Sequence, residues 1–498
     1  MLCLVNSKML HFEIKETLAE SGFYRLFKLW KGFSSMNYNK ITPAVLKEIS
    51  AIVNGDVFNQ KEDLLCFSYD ALNQKYLPEA VAFASTREQV SELLRLANRH
   101  LFPIIPRGSG SGFTGGSLPV QGGLILSLTK MNKIIGIDTD NLVAEVEPGV
   151  ITGELQAEVE KHGLFYPPDP ASLKFSTLGG NVAECAGGPR CVKYGVTRDY
   201  VLGLEVVLPD GDIIKTGART MKSVAGYDLN GLLVGSEGTL GIITKINLKL
   251  LPLPEARRTM QAIFPLMDDA AKTVSAIIRA KIIPSTLEFI DQAAIRCVED
   301  YLKIGLPVHA EAILIIEVDG DIEVVDKYAS QIETICKQGG AESIKIAQDS
   351  EEADKLWKVR RSISASLLKL NPHKINEDIT VPRSRVPDII RKIVEIAKRY
   401  NLINVNFGHA GDGNIHTNFM IDRSNHDELA HAEKAVEEIF KATVAFGGTI
   451  SGEHGIGIAK APYLHLEVGD KGIDIIKRIK QAFDPNNILN PNKIVMEN

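Results

Sequence analysis

Apolar and polar positions along the chain sort into short elements whose period changes several times. In "TPAVLKEISAIV" the apolar residues recur at helical spacing behind a threonine cap, and "TREQVSELLRLANRH" repeats the pattern with Glu88 in its first turn. "AVAFAS", "FPIIP", "GLILSL" and "LVAEVEPG" are apolar runs bounded by turn residues and read as strands. "ITGELQAEVEKHG" predicts a helix ended by Gly163. "GLEVVLPDGDIIKTG" predicts a hairpin turning at Asp210 and Gly211, and "TLGIITKINLKLLPLP" a strand running into prolines.

Beyond Pro254 longer helical patterns alternate with strands: "DDAAKTVSAIIRA", "AEAILIIEVDG", "IEVVDKYASQIETICKQGG" and "DKLWKVRRSISASLLKL". This change of character predicts a second α+β domain. The last stretch, "IDIIKRIKQAFDPNNILNPNKIV", predicts a helix and a turn-rich tail that has little core of its own and packs back on the first domain. The expected divisions are an N-terminal extension (1–41), a first domain (42–254), a second (255–450) and a C-terminal segment (451–498) that completes the site.

A chain of 498 residues is too long for one ordinary core. Its net charge of −6 gives no reason to expect nucleic acid, and no apolar run is long enough to span a bilayer. Six scattered cysteines without a C-x-x-C argue against a disulfide framework and against an iron–sulfur cluster held by this chain alone. A cytoplasmic setting is expected, with attachment to a membrane surface only through a partner. Near the start, "GFYRLFKLWKGFSS" is basic and aromatic, as in an amphipathic targeting helix, whereas Glu13, Glu16 and Glu20 are unusual for a transit peptide. An accessory helix, or a true start at Met36, are the other readings.

The stretch "PRGSGSGFTGGS" contains G-x-G-x-x-G at Gly110, Gly112 and Gly115. A nicotinamide-binding turn of that pattern needs a helix straight after it. Here Pro119, Gly122 and Gly123 forbid one, and Gly116 stands where a phosphate-binding P-loop needs lysine. What remains is a long loop whose bare backbone N–H groups suit a diphosphate nest, with Ser109, Ser111, Thr114 and Ser117 as further donors. "YPPDPASLKFSTLGGNVAECAGGPRCVKYG" and "GSEGTLGIIT" are two more glycine-rich segments, so an extended anionic ligand is expected.

In "GHAGDGNIHTN", His409 and His416 flank a strong turn, and strands on either side would bring both imidazoles to one end of a hairpin. "SGEHGIG" adds Glu453 and His454. Two histidines and a carboxylate suit a divalent metal (zinc, iron or manganese). Spacing alone leaves the alternative open, since H-x₆-H is no general metal motif and a single histidine is more often a core or surface residue.

Taken together, these segments with "NFGHAGDGNIHTNF", "SGEHGIGIAK" and "FDPNNILNPNKI" resemble the FAD-linked oxidases of the vanillyl-alcohol oxidase (PCMH) type. The branch most alike holds glycolate oxidase catalytic subunits and D-lactate or D-2-hydroxyglutarate dehydrogenases. The resemblance implies an α+β fold: a two-part FAD-binding domain, an α+β cap domain, and a C-terminal segment returning to the flavin. It implies that Arg107, Gly108, Ser109, Gly110, Ser111, Gly112, Gly115, Gly116 and Ser117 hold the pyrophosphate. Pro168, Asp169, Ser172, Thr177, Gly179, Gly180 and Asn181 would line the flavin and its ribityl chain, and Glu237, Gly238, Thr239 and Ile242 the adenosine end. Asn490 would return to the flavin. Some relatives attach FAD through a histidine in the first glycine loop; this loop has none, so non-covalent FAD is expected.

The implied reaction is oxidation of a small D-2-hydroxy acid to the 2-oxo acid. His409, His416 and Glu453 would hold the metal, His454 would take the hydroxyl proton, and the C2 hydride would go to flavin N5. "DKLWKVRRSISASL" resembles the family segment that supplies an arginine for the substrate carboxylate; Arg360 is expected to do so, with Arg361 second and Ser364 one helical turn on. Relatives acting on D-2-hydroxyglutarate carry a lysine near the place of Asn376. Its replacement here points to a monocarboxylate, D-lactate or glycolate, with D-2-hydroxyglutarate as the alternative. No nicotinamide site or cluster ligands are evident, so an electron acceptor protein is expected, an iron–sulfur subunit or an electron-transfer flavoprotein. A homodimer is compatible with the sequence. The competing classes are a flavin-free hydrolase using His409, His416 and Glu453, and an electron-transfer subunit without substrate chemistry.

Overall fold

The computed structural model describes residues 37–371 and 373–496. The expectations for the basic aromatic segment before Met36 therefore lie outside the described residues. The chain opens as the pattern predicts. Thr42 caps the helix Pro43–Ile52 by accepting from Val45 N, and Thr86 caps the helix Arg87–His100 by accepting from Gln89 N. Both helices pack on a four-stranded sheet of β1 (Val57–Phe58), β2 (Ala80–Phe83), β3 (Ile104–Arg107) and β4 (Leu124–Ser127), ordered β1-β2-β4-β3. β3 and β4 are parallel, yet no helix joins them: residues 108–123 form an irregular loop, the glycine stretch.

Then follow β5 (Ile134–Asp138), β6 (Val143–Val146), the short β7 (Leu164–Phe165), β8 (Val201–Val207), β9 (Ile213–Gly217), β10 (Ile242–Lys249) and the short β11 (Leu251–Pro252). Five of them make an antiparallel sheet, β5-β6-β10-β8-β9, and β7 pairs with β11. The β8–β9 pair is the hairpin expected around Asp210 and Gly211.

From Ala256 the chain builds a third sheet of β12 (Ala256–Phe264), β13 (Thr286–Asp291), β14 (Ala312–Gly320), β15 (Ser343–Ile346), β16 (His373–Thr380), β17 (Ile403–His409) and β18 (Asn414–Ile421). Its order is β15-β12-β14-β13-β17-β18-β16, antiparallel throughout. Strand alternation sends Leu314 and Ile316 to one core and Ile313 and Ile315 to another, so β14 is apolar on both faces. Residues of the helices Met267–Arg279, Ile322–Gln338, Val386–Arg399 and His426–Ala445 share the first core. Those of Gln292–Leu302 and Ser350–Ser366 share the second. On this second face Glu288, Asp378, His409 and His416 alternate with apolar neighbours.

The tail closes the molecule. Ile488 and Leu489 join the core of the first sheet; Ile104 N donates to Ile488 O at 2.8 Å and Asn490 N to Ile104 O at 2.8 Å. Asp484 fixes this turn by accepting from Ile488 N and Leu489 N. Among the described residues no helix is long and apolar enough to cross a membrane.

Candidate active site

The β17–β18 hairpin puts the two histidines on one face: His409 ends β17, and His416 in β18 is paired with Phe407. Gly413 makes the turn at φ +91°, where a Cβ would lie 2.0 Å from the Val381 carbonyl oxygen. His416 Nε2 lies 3.3 Å from His409 Nε2, and each is 3.4 Å from Glu453 Oε1. Among the described residues these three form a group able to hold a metal ion, with ligand atoms all within 4.8 Å of one another.

Behind the pair sits Glu288, fully buried on β13. Its Oε1 is 2.5 Å from His409 Nδ1, and its Oε2 accepts from Arg360 Nε at 2.6 Å. Burial alone would raise the Glu288 pKa; the charges of His409 and Arg360 outweigh it and hold it low. Burial works against charge on His409 too, but Glu288 and Glu453 raise it well above the ordinary imidazole value. His416 is held well below by burial, then by the nearby positive charges of His409 and His454.

His454 is held separately. Its ring stacks on Phe113 of the glycine loop at 4.9 Å between centroids and lies nearly parallel to His416 at 5.2 Å. Its Nδ1 is 3.4 Å from Asp378 Oδ1. Asp378 Oδ2 also accepts from the backbone N–H of Gly452, Glu453 and His454, and its Oδ1 accepts from the buried Lys460 Nζ. One carboxylate on β16 thus organises the whole "SGEH" loop. Burial pushes Asp378 towards neutrality; His454 and Lys460 overcome it, so its pKa lies below the usual carboxylate range.

Two cavities meet here, and Phe113, Pro170, Ala171, Glu453 and His454 line both. The first is the glycine-lined cleft. Gly108, Ser109, Gly110, Ser111, Gly112, Gly116 and Ser117 line it, with Ser172, Thr177, Gly179, Gly180, Asn181, Glu237, Gly238 and Ile242. Arg107 lines it as well, but its guanidinium donates to Tyr69 O and to Ser117 O and Oγ beneath Gly110, so it also shapes the loop from below.

Five expected cofactor residues lie off the lining of that cleft. Gly115 packs against Ile458, and the Pro168 carbonyl accepts from Gln156. Asp169 lines the second cavity beside Arg190, and Thr239 bonds Ser236 O. Asn490 stands behind the cleft, where its Nδ2 ties Gly116 O to Glu237 O at 2.9 and 2.7 Å.

The second cavity, about 1100 Å³, lies between Phe113 and the third sheet and reaches Arg360, Ser364, His409 and His416. Arg360 is only 13% exposed and its guanidinium lies 4.7 Å from the Phe407 ring centroid. Arg361 also borders the cavity, but is half exposed and paired with Asp354. The cation thought missing near Asn376 has a counterpart one alternation earlier on β16. Lys374 faces the same cavity, donates to Ser364 Oγ at 2.8 Å and sits 5.8 Å from the Phe113 ring centroid. Glu288, Asp378, Lys460 and Glu184 are the participants that carry no sequence signal: Glu288, Lys460 and Glu184 are single charges in apolar or small-residue runs, and Asp378 follows Glu377 in a strand with nothing to single it out.

Comparison with known proteins agrees with this architecture. The family descriptions "FAD binding domain" and "FAD linked oxidases, C-terminal domain" match residues 78–217 and 253–494. The chain is 52% identical to the glycolate oxidase subunit GlcD of Bacillus subtilis over 431 residues, covering 86% of this chain and 92% of that one. It is 36% identical to a D-lactate dehydrogenase of Anaerostipes hadrus, covering 93% and 99%. Among solved structures, p-cresol methylhydroxylase with substrate bound superposes with a TM-score of 0.75 at 21% identity, covering 91% of this chain and 96% of that one; this is a likeness of fold.

The family matches make the chain a flavin-dependent oxidoreductase, and its fold is that of the vanillyl-alcohol oxidase type. The chain belongs to the FAD-linked oxidase family, and FAD is its cofactor. The cleft fits that cofactor: Gly108, Ser109, Gly110, Ser111, Gly112, Gly116 and Ser117 line it, a run of glycines and small hydroxyl residues whose backbone N–H groups suit a diphosphate.

Proposed function

We propose that this chain oxidises a small D-2-hydroxy acid, D-lactate or glycolate, to the 2-oxo acid. The observation that carries this reading is the meeting of a glycine-lined cleft and an arginine-bearing cavity at one histidine–carboxylate cluster. The names of the Bacillus subtilis and Anaerostipes hadrus relatives support the substrate class. Bound non-covalently in the cleft by its lining residues, FAD supplies a hydride acceptor for the C2 hydrogen. Arg360 binds the substrate carboxylate with the guanidinium edge that Glu288 does not use, and His454 takes the proton of the C2 hydroxyl. His409, His416 and Glu453 would hold a divalent cation, zinc, iron or manganese, whose part is to acidify that hydroxyl.

The reduced cofactor then needs an acceptor. The B. subtilis relative is named as a subunit, which supports a partner protein here, an iron–sulfur subunit or an electron-transfer flavoprotein. A second reading, D-2-hydroxyglutarate, draws on Lys374, which offers a second carboxylate a cation in the same cavity. Steady-state oxidation of D-lactate, L-lactate, glycolate and D-2-hydroxyglutarate with a dye acceptor, with and without chelator, tests both. The first reading expects turnover of D-lactate or glycolate, lost with chelator and restored by metal. Turnover confined to D-2-hydroxyglutarate would favour the second, and turnover of none would remove both.

A further inference from the structure

Glu184 ends the short helix Leu178–Glu184 and lines the glycine-rich cleft. Its carboxyl is wedged where two loops meet. A Cβ at Gly116 would stand 2.7 Å from Oε1, and a Cβ at Gly455 only 2.1 Å from Oε2. Oε2 is fully buried and has no hydrogen-bond partner. A buried carboxyl oxygen with no donor costs about 1–3 kcal/mol, more if charged, so Oε2, sealed against Gly455 and close to Glu237, favours the neutral acid, while Oε1 lies beside Gly116 of the cleft lining.

Glu237 reaches the same seam: the Gly116 position lies 3.5 Å from its Oε2 and the Gly455 position 3.0 Å from its Oε1. The two carboxyls are unequally supported. Glu237 accepts from Ile456 N at 2.6 Å and Gly457 N at 2.8 Å, with Lys493 and Lys460 nearby. No donor reaches Glu184 Oε2. Two buried carboxyls side by side do not both ionise, and the negative charge goes to the one with donors.

We propose that Glu184 carries a proton and donates it from Oε1, beside Gly116, in a hydrogen bond to an oxygen of FAD, where the first glycine loop meets the cofactor. A second carboxylate at this seam, beside the ionised Glu237, would add to the repulsion of a cofactor bearing a diphosphate; a carboxylic acid does not. The surroundings agree: burial, then the negative charges of Glu237, Asp70 and Asp378, hold the Glu184 pKa well above the usual carboxylate range. Arg107 and Lys493 act on Asp70, and Lys493 and Lys460 on Glu237, leaving the proton with Glu184. The inference depends on FAD binding alone and not on the substrate proposed above.

The test is FAD affinity of the purified full-length holoprotein, measured by dilution and flavin fluorescence, for the wild type, Glu184→Gln and Glu184→Leu, alongside thermal melts of each. Gln keeps a donor of the same shape without a charge; Leu fills the space without one. Glu184→Gln should bind FAD within about threefold of wild type, and Glu184→Leu about 10- to 100-fold more weakly, the range of a hydrogen bond to a charged group. In the infrared spectrum the wild-type holoprotein should show a protonated-carboxyl C=O band that Glu184→Gln loses. Equal affinity for Leu and wild type, Gln as weak as Leu, or no change in the infrared band would each overturn the proposal. The infrared arm decides the matter even where Glu184→Leu does not fold.

Discussion

Glu288 and Asp378 occupy matching places behind the two working edges of the site. Each is fully buried, each carries a charge that burial opposes, and each is balanced by one histidine and one fixed cation: His409 with Arg360, His454 with Lys460. A buried carboxylate of this kind orients its imidazole and makes it a better base or ligand. For the proposed cation site, Glu288→Gln should therefore weaken affinity for added divalent metal by about 10- to 100-fold, read by metal analysis after dialysis against a chelator. Unchanged metal retention would remove Glu288 from this role. Asp378→Asn keeps the shape but loses the charge on which three backbone N–H groups and Lys460 converge. It should reduce kcat by about 10- to 100-fold and change the pH profile of kcat/KM, since the partner of His454 Nδ1 changes. Arg360→Lys replaces a planar fork by a point charge; it should raise KM for the 2-hydroxy acid by about tenfold or more while the flavin spectrum stays native. These pairings were not visible in the sequence: Glu288 meets His409 across 121 residues and Asp378 meets His454 across 76, with no local pattern to mark either.

At the scale of elements, the hairpin β17–β18 delivers both metal-suited histidines and is therefore sensitive at its turn. Gly413→Ala puts a Cβ 2.0 Å from the Val381 carbonyl oxygen in a backbone conformation that costs a further ~1 kcal/mol for a side chain. A lower melting temperature and weaker divalent-metal binding at the proposed cation site should follow together; loss of neither would show the turn to be tolerant. This element was legible, because "AGDGN" between apolar alternations has one reading. The threonine-capped helices, and the missing helix after the glycine loop, were legible for the same local reasons. Arg107 was legible as a residue of that loop but not in its bonding, because its partner Tyr69 lies 38 residues upstream. Lys374 went unnoticed for a related cause. Sequence comparison looks at one position, while a strand offers the same cavity to residues two apart.

Across the whole molecule, folding leaves several carboxyls deeply buried. Burial raises Asp70 and Asp291 to about 6, and Asp169, Glu237 and Glu377 to about 7. Their folded values exceed the unfolded ones near ~4, so the folded protein binds more protons between about pH 4 and about pH 7. The stability they contribute is full below that window and is lost as pH rises through it; His416, shifted downwards, offsets one of the five. The melting temperature should accordingly be higher at about pH 5 than at about pH 7. An opposite slope would contradict these assignments.

The central claim is that the flavin cleft and the histidine–carboxylate cluster act on one substrate. It is tested most directly by mixing oxidised holoprotein with D-lactate or glycolate without oxygen and following the flavin absorbance, in the wild type and in His454→Ala. The account predicts rapid bleaching in the wild type and a rate at least about 100-fold lower in His454→Ala with FAD still bound. A wild-type flavin that stays oxidised with every 2-hydroxy acid, or equal bleaching rates in the two proteins, would contradict it.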